Sequence, residues 1–527
     1  MSDEPLRPLP STPDEPNHMS TAAFRDAAHQ LVDFICDYYD TIEARPVRAR
    51  TEPGAVYDAL PDAPPAHPEP FDRVLDDVRE TVAPNLTHWQ HPSFFAYFPA
   101  NGSFPSVLGD LLSSALGVQG MLWQTSPACT EVETRVLDWL ALMLGLPASF
   151  TSTGAHPSLQ SEPELRELLG EPLPAVRDSP GGGVILSTAS EAVLTALSAA
   201  LERHRRSSES VQQPIIYVSS QSHSSVRKAV NIVGLVPENI REIPTDERHA
   251  MDPAALRRAI DEDESNACRP VFVCATLGTT GSGAFDPLAE IAELCERRRA
   301  WLHVDAAWAG SAFVCPEQRG LLRGVQSADS FSFNPHKWLL TNFDCSAFFL
   351  NGAAAREHLL RAMSITPEYL RNAASDAGGV IDYRDWHIPL GRRFRALKLW
   401  FVLRHYGVKG LQDHIRTHCR QAASLERVID ADDRFELAAP RSMSLVLFRV
   451  ADDDPAGTHS RALMDRVNDS GRAFLTHTVL PDPDGGEARF AIRVAIGGAL
   501  TRDEHVRTLW QTVLESLEPL PTATKDS

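Results

Sequence analysis

Residues 301–310 read WLHVDAAWAG. An apolar strand, Trp301 to Val304, runs directly into Asp305, and the small residues that follow would let a flat ligand approach. A short apolar run of this kind suits a strand buried on both faces, and the carboxyl ends of such strands are where open α/β sheets bind ligands. On its own, Asp305 reads more simply as the cap of the next turn.

The same pattern recurs on either side. Strands are expected over Gly183–Leu186, Pro214–Val218, Val271–Thr276 and Ser330–Phe333, alternating with amphipathic helices over 190–205, 286–298 and 396–406. That alternation predicts an α/β domain around a mainly parallel sheet, here placed at 104–397. From 398 to 527, helices mix with strands such as Met443–Val450 and Arg489–Ala495, as in a smaller α+β domain. Residues 1–18 are rich in Pro, Ser and acidic side chains and read as a disordered tail. From Ser20, helical spacing takes over: Phe24, Ala27, Leu31, Phe34, Ile35 and Tyr38 share a face, with Ser20 and Thr21 available as caps. A Pro-rich stretch, 61–70, separates this helix from another around 71–83. The segment 19–103 is suited to packing in a dimer, or equally to lying on its own subunit. Residues 151–180 have no periodicity and read as an inserted surface loop.

Bulk properties narrow the function classes. With 527 residues, 43% of them hydrophobic, the chain has ample material for a core. Its formal charge of −20 argues against nucleic-acid binding, which needs basic stripes. The eight cysteines are scattered, without a C-x-x-C pair or a cluster with His, so they read as free thiols and not as a disulfide frame or zinc site. MSDEPLRPLP lacks the basic and apolar regions of a secretory signal, and no apolar run is long enough to span a bilayer. A cytoplasmic protein is the expectation.

Four further segments carry chemistry. In FSFNPHKWLL (331–340), Lys337 stands between His336 and Trp338; desolvated, its amine would lose basicity and become able to form an imine. A lysine merely extending its head group to water is the plainer reading of that residue alone. In GGGVILSTASEAVL (181–194), a strand enters the turn 187–190, where free N–H groups at a helix start could hold a phosphate. ATLGTTGSG (275–283) is a strand followed by a hydroxyl-rich loop, and SSQSHSS (219–225) puts His223 just past another strand. Each signal is weak, yet all fall at strand carboxyl ends in one α/β unit. A phosphate cup, an acidic partner for a ring nitrogen and an imine-forming lysine are the parts that pyridoxal phosphate requires.

Longer stretches carry a family likeness: HPSFFAYFP (91–99), SPACTEVETRVLDWL (126–140), WLHVDAAWAGSAFVCPE (301–317), FNPHKWLLTNFDCSA (333–347) and DYRDWHIPLGRRFRALKLWFVLR (382–404). Over residues 20–520 the chain resembles aromatic-L-amino-acid decarboxylase, a group II pyridoxal-phosphate enzyme. The resemblance implies fold type I: a large domain on a mainly parallel seven-stranded sheet, a small α+β C-terminal domain, and a homodimer with shared active sites. It implies that Lys337 holds the cofactor and that Asp305 faces its ring nitrogen. Ala307 and His223 would lie on opposite ring faces. Ala189, Ser190 and Asn334 match phosphate-binding positions, and Thr280 and His336 match cofactor contacts. Trp89, Tyr97, Phe98 and Pro99 match the aromatic pocket. Tyr369, in PEYL (367–370), matches the catalytic-loop tyrosine that returns a proton to the α-carbon, within a lid spanning 366–379.

Three departures bear on substrate. Ala100 stands where animal relatives carry a hydroxyl residue. Gln119 and Met121 occupy places that line the partner's pocket, with Met121 replacing an aromatic. Gly391 matches a position at which plant relatives use Gly with indole substrates and Ser with phenolic ones. Together they lean towards tryptophan, then phenylalanine. The competing expectations are an aromatic aldehyde synthase, associated with Phe in place of the loop tyrosine, a histidine or glutamate decarboxylase, and a catalytically silent scaffold.

Overall fold

Successive residues of the central strands point to opposite sides of one sheet, and both sides are apolar. Ile215, Tyr217, Val273, Ala275, Leu302, Val304, Phe331 and Phe333 enter one core cluster; Ile216, Val218, Phe272, Cys274, Trp301 and Phe348 enter another. Such strands read as near-continuous hydrophobic runs because helices cover both faces. The computed structural model describes residues 18–517 apart from 209–210, 366–369, 371–372, 377–378 and 483–485.

The sheet comprises β1 (Gly182–Leu186), β2 (Gln213–Ser219), β3 (Ile240–Ile243), β4 (Cys268–Thr276), β5 (Trp301–Asp305), β6 (Ser330–Phe333) and β7 (Ser346–Leu350). Their order is β1-β7-β6-β5-β4-β2-β3. Only β7 runs antiparallel, to β6 and to β1, so the other six strands all end at the same edge. The architecture is the expected mainly parallel α/β sheet of fold type I. Helices Ala189–Arg205 and Leu288–Arg298 match their expected spans within two residues, and so does the third: Arg395–Asp430 is two helices joined at a kink, the first of which starts at Arg395 and stops at Gly407. Gly407, with a φ of 64°, breaks the backbone between the two, and the first of them runs through the expected domain boundary at 397/398. The 151–180 stretch contains a helix, Pro163–Leu169.

A second sheet, of β8 (Phe435–Ser442), β9 (Leu445–Val450), β10 (Thr476–Leu480) and β11 (Arg489–Ala495), is antiparallel in the order β10-β11-β9-β8. With helices Thr458–Ser470 and Asp503–Ser516 it closes its own core. The chain clusters into one unit up to His88 and another from Trp89 onward. In the first, helix Thr21–Asp40 is capped by the Ser20 side chain on the Ala23 N–H, as expected. It leaves Phe24, Leu31 and Val32 exposed.

In the second unit, helix Phe104–Leu116 inverts the usual pattern. Its buried face is small and polar, Ser106, Gly109 and Ser113, and it lies against helix Arg395–Asp430 so closely that a Cβ on Gly109 would stand 2.6 Å from the Lys398 Cα. Its outer face carries exposed Phe104, Leu108, Leu111, Leu112 and Leu116.

Between the aromatic layers of β4 and β7 lies His303 of β5, its ring 6.1 Å from both Phe272 and Phe348. Trp301 Nε1 donates to Ser330 Oγ, which pairs with His303 Nδ1 at 2.9 Å. Burial drives this imidazole down from its ordinary value near 6.5 to about 3. The folded state therefore refuses a proton that the unfolded chain binds below pH 6.5, and stability falls as pH drops through that window. At pH 5 the loss from this one group is roughly 2 kcal/mol. Denaturation of the native protein and of His303→Gln at pH 7 and pH 5 checks it: the variant should lose less stability between the two pH values, by about that amount.

Candidate active site

Three strand ends converge. Asp305 ends β5; its carboxylate accepts the Ala307 N–H at 3.0 Å, which folds the following turn back over the edge. The Ala307 carbonyl in turn accepts the Asn334 N–H just past β6, and the Asn334 carbonyl accepts the Lys337 N–H, both at 2.9 Å. Asp305 and Lys337 are thus joined through two adjacent strand ends. Beyond β4, Gly278 holds φ at 84°, and a Cβ there would meet Ala309 at 2.6 Å and the Trp308 indole at 2.9 Å. Glycine is what lets this loop, with Thr280, close against the turn after β5.

The segment 91–101 enters from the small sheet's side. Phe95 bonds through its backbone to Phe474 and Ala495, and the Tyr97 N–H donates to Thr476 Oγ1 at 3.0 Å. Tyr97 holds a left-handed φ of 53°, and its carbonyl accepts from Arg493 Nη1 at 3.1 Å. Asn101 completes the clamp: its N–H donates to the His336 carbonyl, and its Nδ2 donates to the carbonyls of Lys337 and of Gly497.

These elements enclose a cavity of about 790 Å³. Trp89, Tyr97, Phe98, Trp308 and Phe343 form its aromatic lining; Lys337, His336, His223, Thr280 and Arg493 supply most of its polar groups. Trp89 and Tyr97 stack at 5.6 Å and 13°, and Phe98 stacks on Trp308 at 4.9 Å and 25°. The size and the few convergent polar groups are those of a small-molecule site.

Burial sets the electrostatics. It pushes Asp305 up, opposed by Lys337, the Ala307 N–H and His223. It pushes Lys337 down, opposed by Asp305 and reinforced by Arg493. His223 is also lowered by burial, and its Nδ1 accepts from the Ser225 N–H at 3.1 Å, which places the ring proton on Nε2. A lysine amine with depressed basicity is a nucleophile near neutral pH. Arg493 is buried and its Nε has no partner among the described residues.

The cavity gathers Trp89, Tyr97, Phe98, Ala100, His223, Thr280, His336 and Lys337. Asp305, Ala307 and Asn334 lie in the backbone-linked turns that carry Lys337. Pro99 is buried beside Gly497. Ala189 and Ser190 open their helix at the same sheet edge as Asp305, outside the cavity lining. Gln119 and Gly391 sit together elsewhere: Gln119 Oε1 accepts the Arg392 N–H, and a Cβ on Gly391 would stand 3.5 Å from it. The Met121 carbonyl, nearby, accepts the Arg384 N–H. None of these three lines this chain's Lys337 cavity. Tyr369 and Gly378, with most of the expected lid, fall outside the described residues.

Sequence reasoning overlooked Arg493, Trp308, Asn101 and the Thr476–Thr478 strand. Arg493 had a signal, since a lone cation in the apolar run FAIRVAI is costly unless it is used. Asn101 had none.

Residues suited to pyridoxal phosphate are present. Thr188 gives no side-chain cap to helix Ala189–Arg205 and Ser190 is exposed, so the first N–H groups stay available to an anion. Asn334 carries a buried side-chain oxygen without a partner among the described residues, which leaves that amide free to turn to a bound group.

Residues 53–451 match the family model described as pyridoxal-dependent decarboxylase conserved domain. The chain is 43% identical to three curated proteins: tryptophan decarboxylase 2 of Oryza sativa subsp. japonica, phenylacetaldehyde synthase of Arabidopsis thaliana and tyrosine decarboxylase 2 of Narcissus pseudonarcissus. Each match covers 94% of this chain and 94%, 96% and 93% of those proteins respectively. The crystal structure of Oryza sativa TDC with PLP and tryptamine superposes with a TM-score of 0.85 at 40% identity, over 95% of this chain and 98% of that one.

If Lys337 is the residue that holds the cofactor, borohydride should fix pyridoxal phosphate covalently to the native protein and not to Lys337→Ala. Mass spectrometry of the reduced peptides reads this, and fixation persisting in the variant would transfer the role to another amine.

Proposed function

The chain belongs to the pyridoxal-dependent decarboxylase family, and from that premise we propose that it converts aromatic L-amino acids, tryptophan foremost, to arylalkylamines and carbon dioxide. It is a pyridoxal-phosphate-dependent carboxy-lyase of aromatic amino acids. The observation that carries the proposal is one cavity that sets Lys337 among aromatic walls with a buried arginine beside it.

When bound, pyridoxal phosphate supplies an aldehyde that condenses with amines and a ring that draws electron density from the α-carbon. Lys337 is the amine that holds it, and its depressed basicity keeps that amine nucleophilic. Asp305, as a carboxylate, holds a proton at the ring nitrogen. The N–H groups of Ala189 and Ser190 and the Asn334 amide hold the phosphate, with Thr280 and His336 as further contacts. His223 and Ala307 position the ring.

Trp89, Tyr97, Phe98 and Trp308 exclude water and receive the aromatic side chain. Arg493, which lines the cavity and whose Nε has no partner among the described residues, attracts the substrate carboxylate, a charge-assisted bond that orients the amino acid. Tyr369 delivers the proton to the α-carbon after carbon dioxide leaves.

The lean to tryptophan rests on Ala100, which lines the cavity without a hydroxyl, on Gln119 and Met121, assigned to the partner's pocket, and on Gly391, whose lack of a side chain leaves room for an indole. A homodimer accords with the exposed apolar face of helix Phe104–Leu116, where Phe104, Leu108, Leu111, Leu112 and Leu116 need cover. A second reading, decarboxylation coupled to oxidative deamination, is favoured by equal identity to a phenylacetaldehyde synthase. Tyr369 speaks against it.

Purified protein with pyridoxal phosphate, given an equimolar mixture of tryptophan, phenylalanine, tyrosine and dihydroxyphenylalanine, tests both readings. The proposal predicts amine and carbon dioxide in equal amounts, tryptamine leading, without oxygen uptake. Aldehyde with oxygen consumption would establish the second reading instead, and a product other than tryptamine in the lead would overturn the substrate assignment.

A further inference from the structure

Directly after Lys337 stands Trp338, whose ring is fully buried. It touches both rings of the Phe98–Trp308 stack, at 5.5 Å and 66° to Phe98 and at 5.7 Å to Trp308. Those two rings form a wall of the substrate cavity; Trp338 lies behind them and is not part of its lining. Its one polar atom, Nε1, donates to Nδ1 of His418 at 2.9 Å, with the two ring planes within 4° of each other.

We propose that His418 is a specificity-positioning residue: by accepting the Trp338 N–H it fixes where the Phe98–Trp308 wall stands, and hence which aromatic ring the cavity favours. The inference rests on the reading of the protein as an aromatic amino acid decarboxylase.

The bond defines the His418 tautomer. Burial, reinforced by His414 whose ring lies 4.4 Å away, holds the imidazole well below its ordinary value, so it is neutral. Since Nδ1 accepts the Trp338 N–H, the neutral ring carries its proton on Nε2, and the Gly498 backbone beside the ring is the influence that opposes the lowering. Gly498 adjoins Gly497, where a Cβ would stand 2.8 Å from Phe98. His418 therefore holds the wall through Trp338, next to the stretch of chain that backs Phe98. Interiors are close-packed, so a ring released at Trp338 displaces the rings leaning on it.

Three substitutions separate this role from simple packing. His418→Leu fills space without an acceptor. His418→Gln puts its amide near the Gly498 side, and His418→Asn places an oxygen where Nδ1 stood. Two quantities are read on each holoenzyme: the ratio of kcat/KM for tryptophan over phenylalanine, and the ratio of Kd for tryptamine over phenethylamine by calorimetry.

The proposal expects Leu and Gln to shift both ratios by about tenfold, the scale on which a reshaped apolar pocket discriminates. Asn should return both to within about twofold of the native values. Trp338→Phe, which keeps a ring and removes the donor, should reproduce the shift and make His418→Asn silent in its background; it also serves if His418→Leu does not fold. Ratios unchanged in every variant, or Asn shifting as far as Leu, would overturn the inference. Should the native protein not decarboxylate either amino acid, the functional reading fails, while the amine Kd ratios still test His418.

Discussion

Burial acts on Asp305 and Lys337 in opposite senses, and each is driven towards neutrality while the other's charge resists. The rest of the site follows from holding these two groups together at the ends of β5 and β6. Two backbone bonds, Asn334 to Ala307 and Lys337 to Asn334, fix the turns that carry them. A parallel sheet makes this possible: its strand ends share one edge, so residues far apart in sequence meet there. Ligands collect at that edge in open α/β sheets for the same reason.

The small domain is part of the same arrangement. Asn101 bonds the carbonyls of Lys337 and Gly497, and Arg493 on β11 bonds Tyr97 while lining the cavity. The aromatic segment 94–98 is thus fastened on one side to the Lys337 turn and on the other to the second sheet. Tyr97 keeps its left-handed backbone because Thr476 and Arg493 satisfy its N–H and carbonyl.

Much of this was legible in the sequence, for identifiable reasons. Continuous apolar runs ending at Thr276, Asp305 and Phe333 announced strands buried on both faces, and the chemistry followed them at 280, 305 and 337. The long stretches around these residues carried the family likeness, which the match over 53–451 bears out. Contacts that join distant segments were not legible. Nothing in NGSF marks Asn101 as a clamp on Lys337, and no local pattern pairs His418 with Trp338, 80 positions away. The helix expected over 396–406 does stop at Gly407, whereas the second helix that follows it to Asp430 was not foreseen.

The central claim is that Asp305 serves as a carboxylate holding a proton at the cofactor ring nitrogen. Single-turnover decarboxylation of tryptophan by the Asp305→Asn holoenzyme tests it most directly, with borohydride fixation confirming that pyridoxal phosphate is still held. The account predicts fixation on Lys337 as in the native protein and a rate lower by about a hundredfold or more, since an amide cannot stabilise that cation. A native rate with the cofactor in place would contradict it.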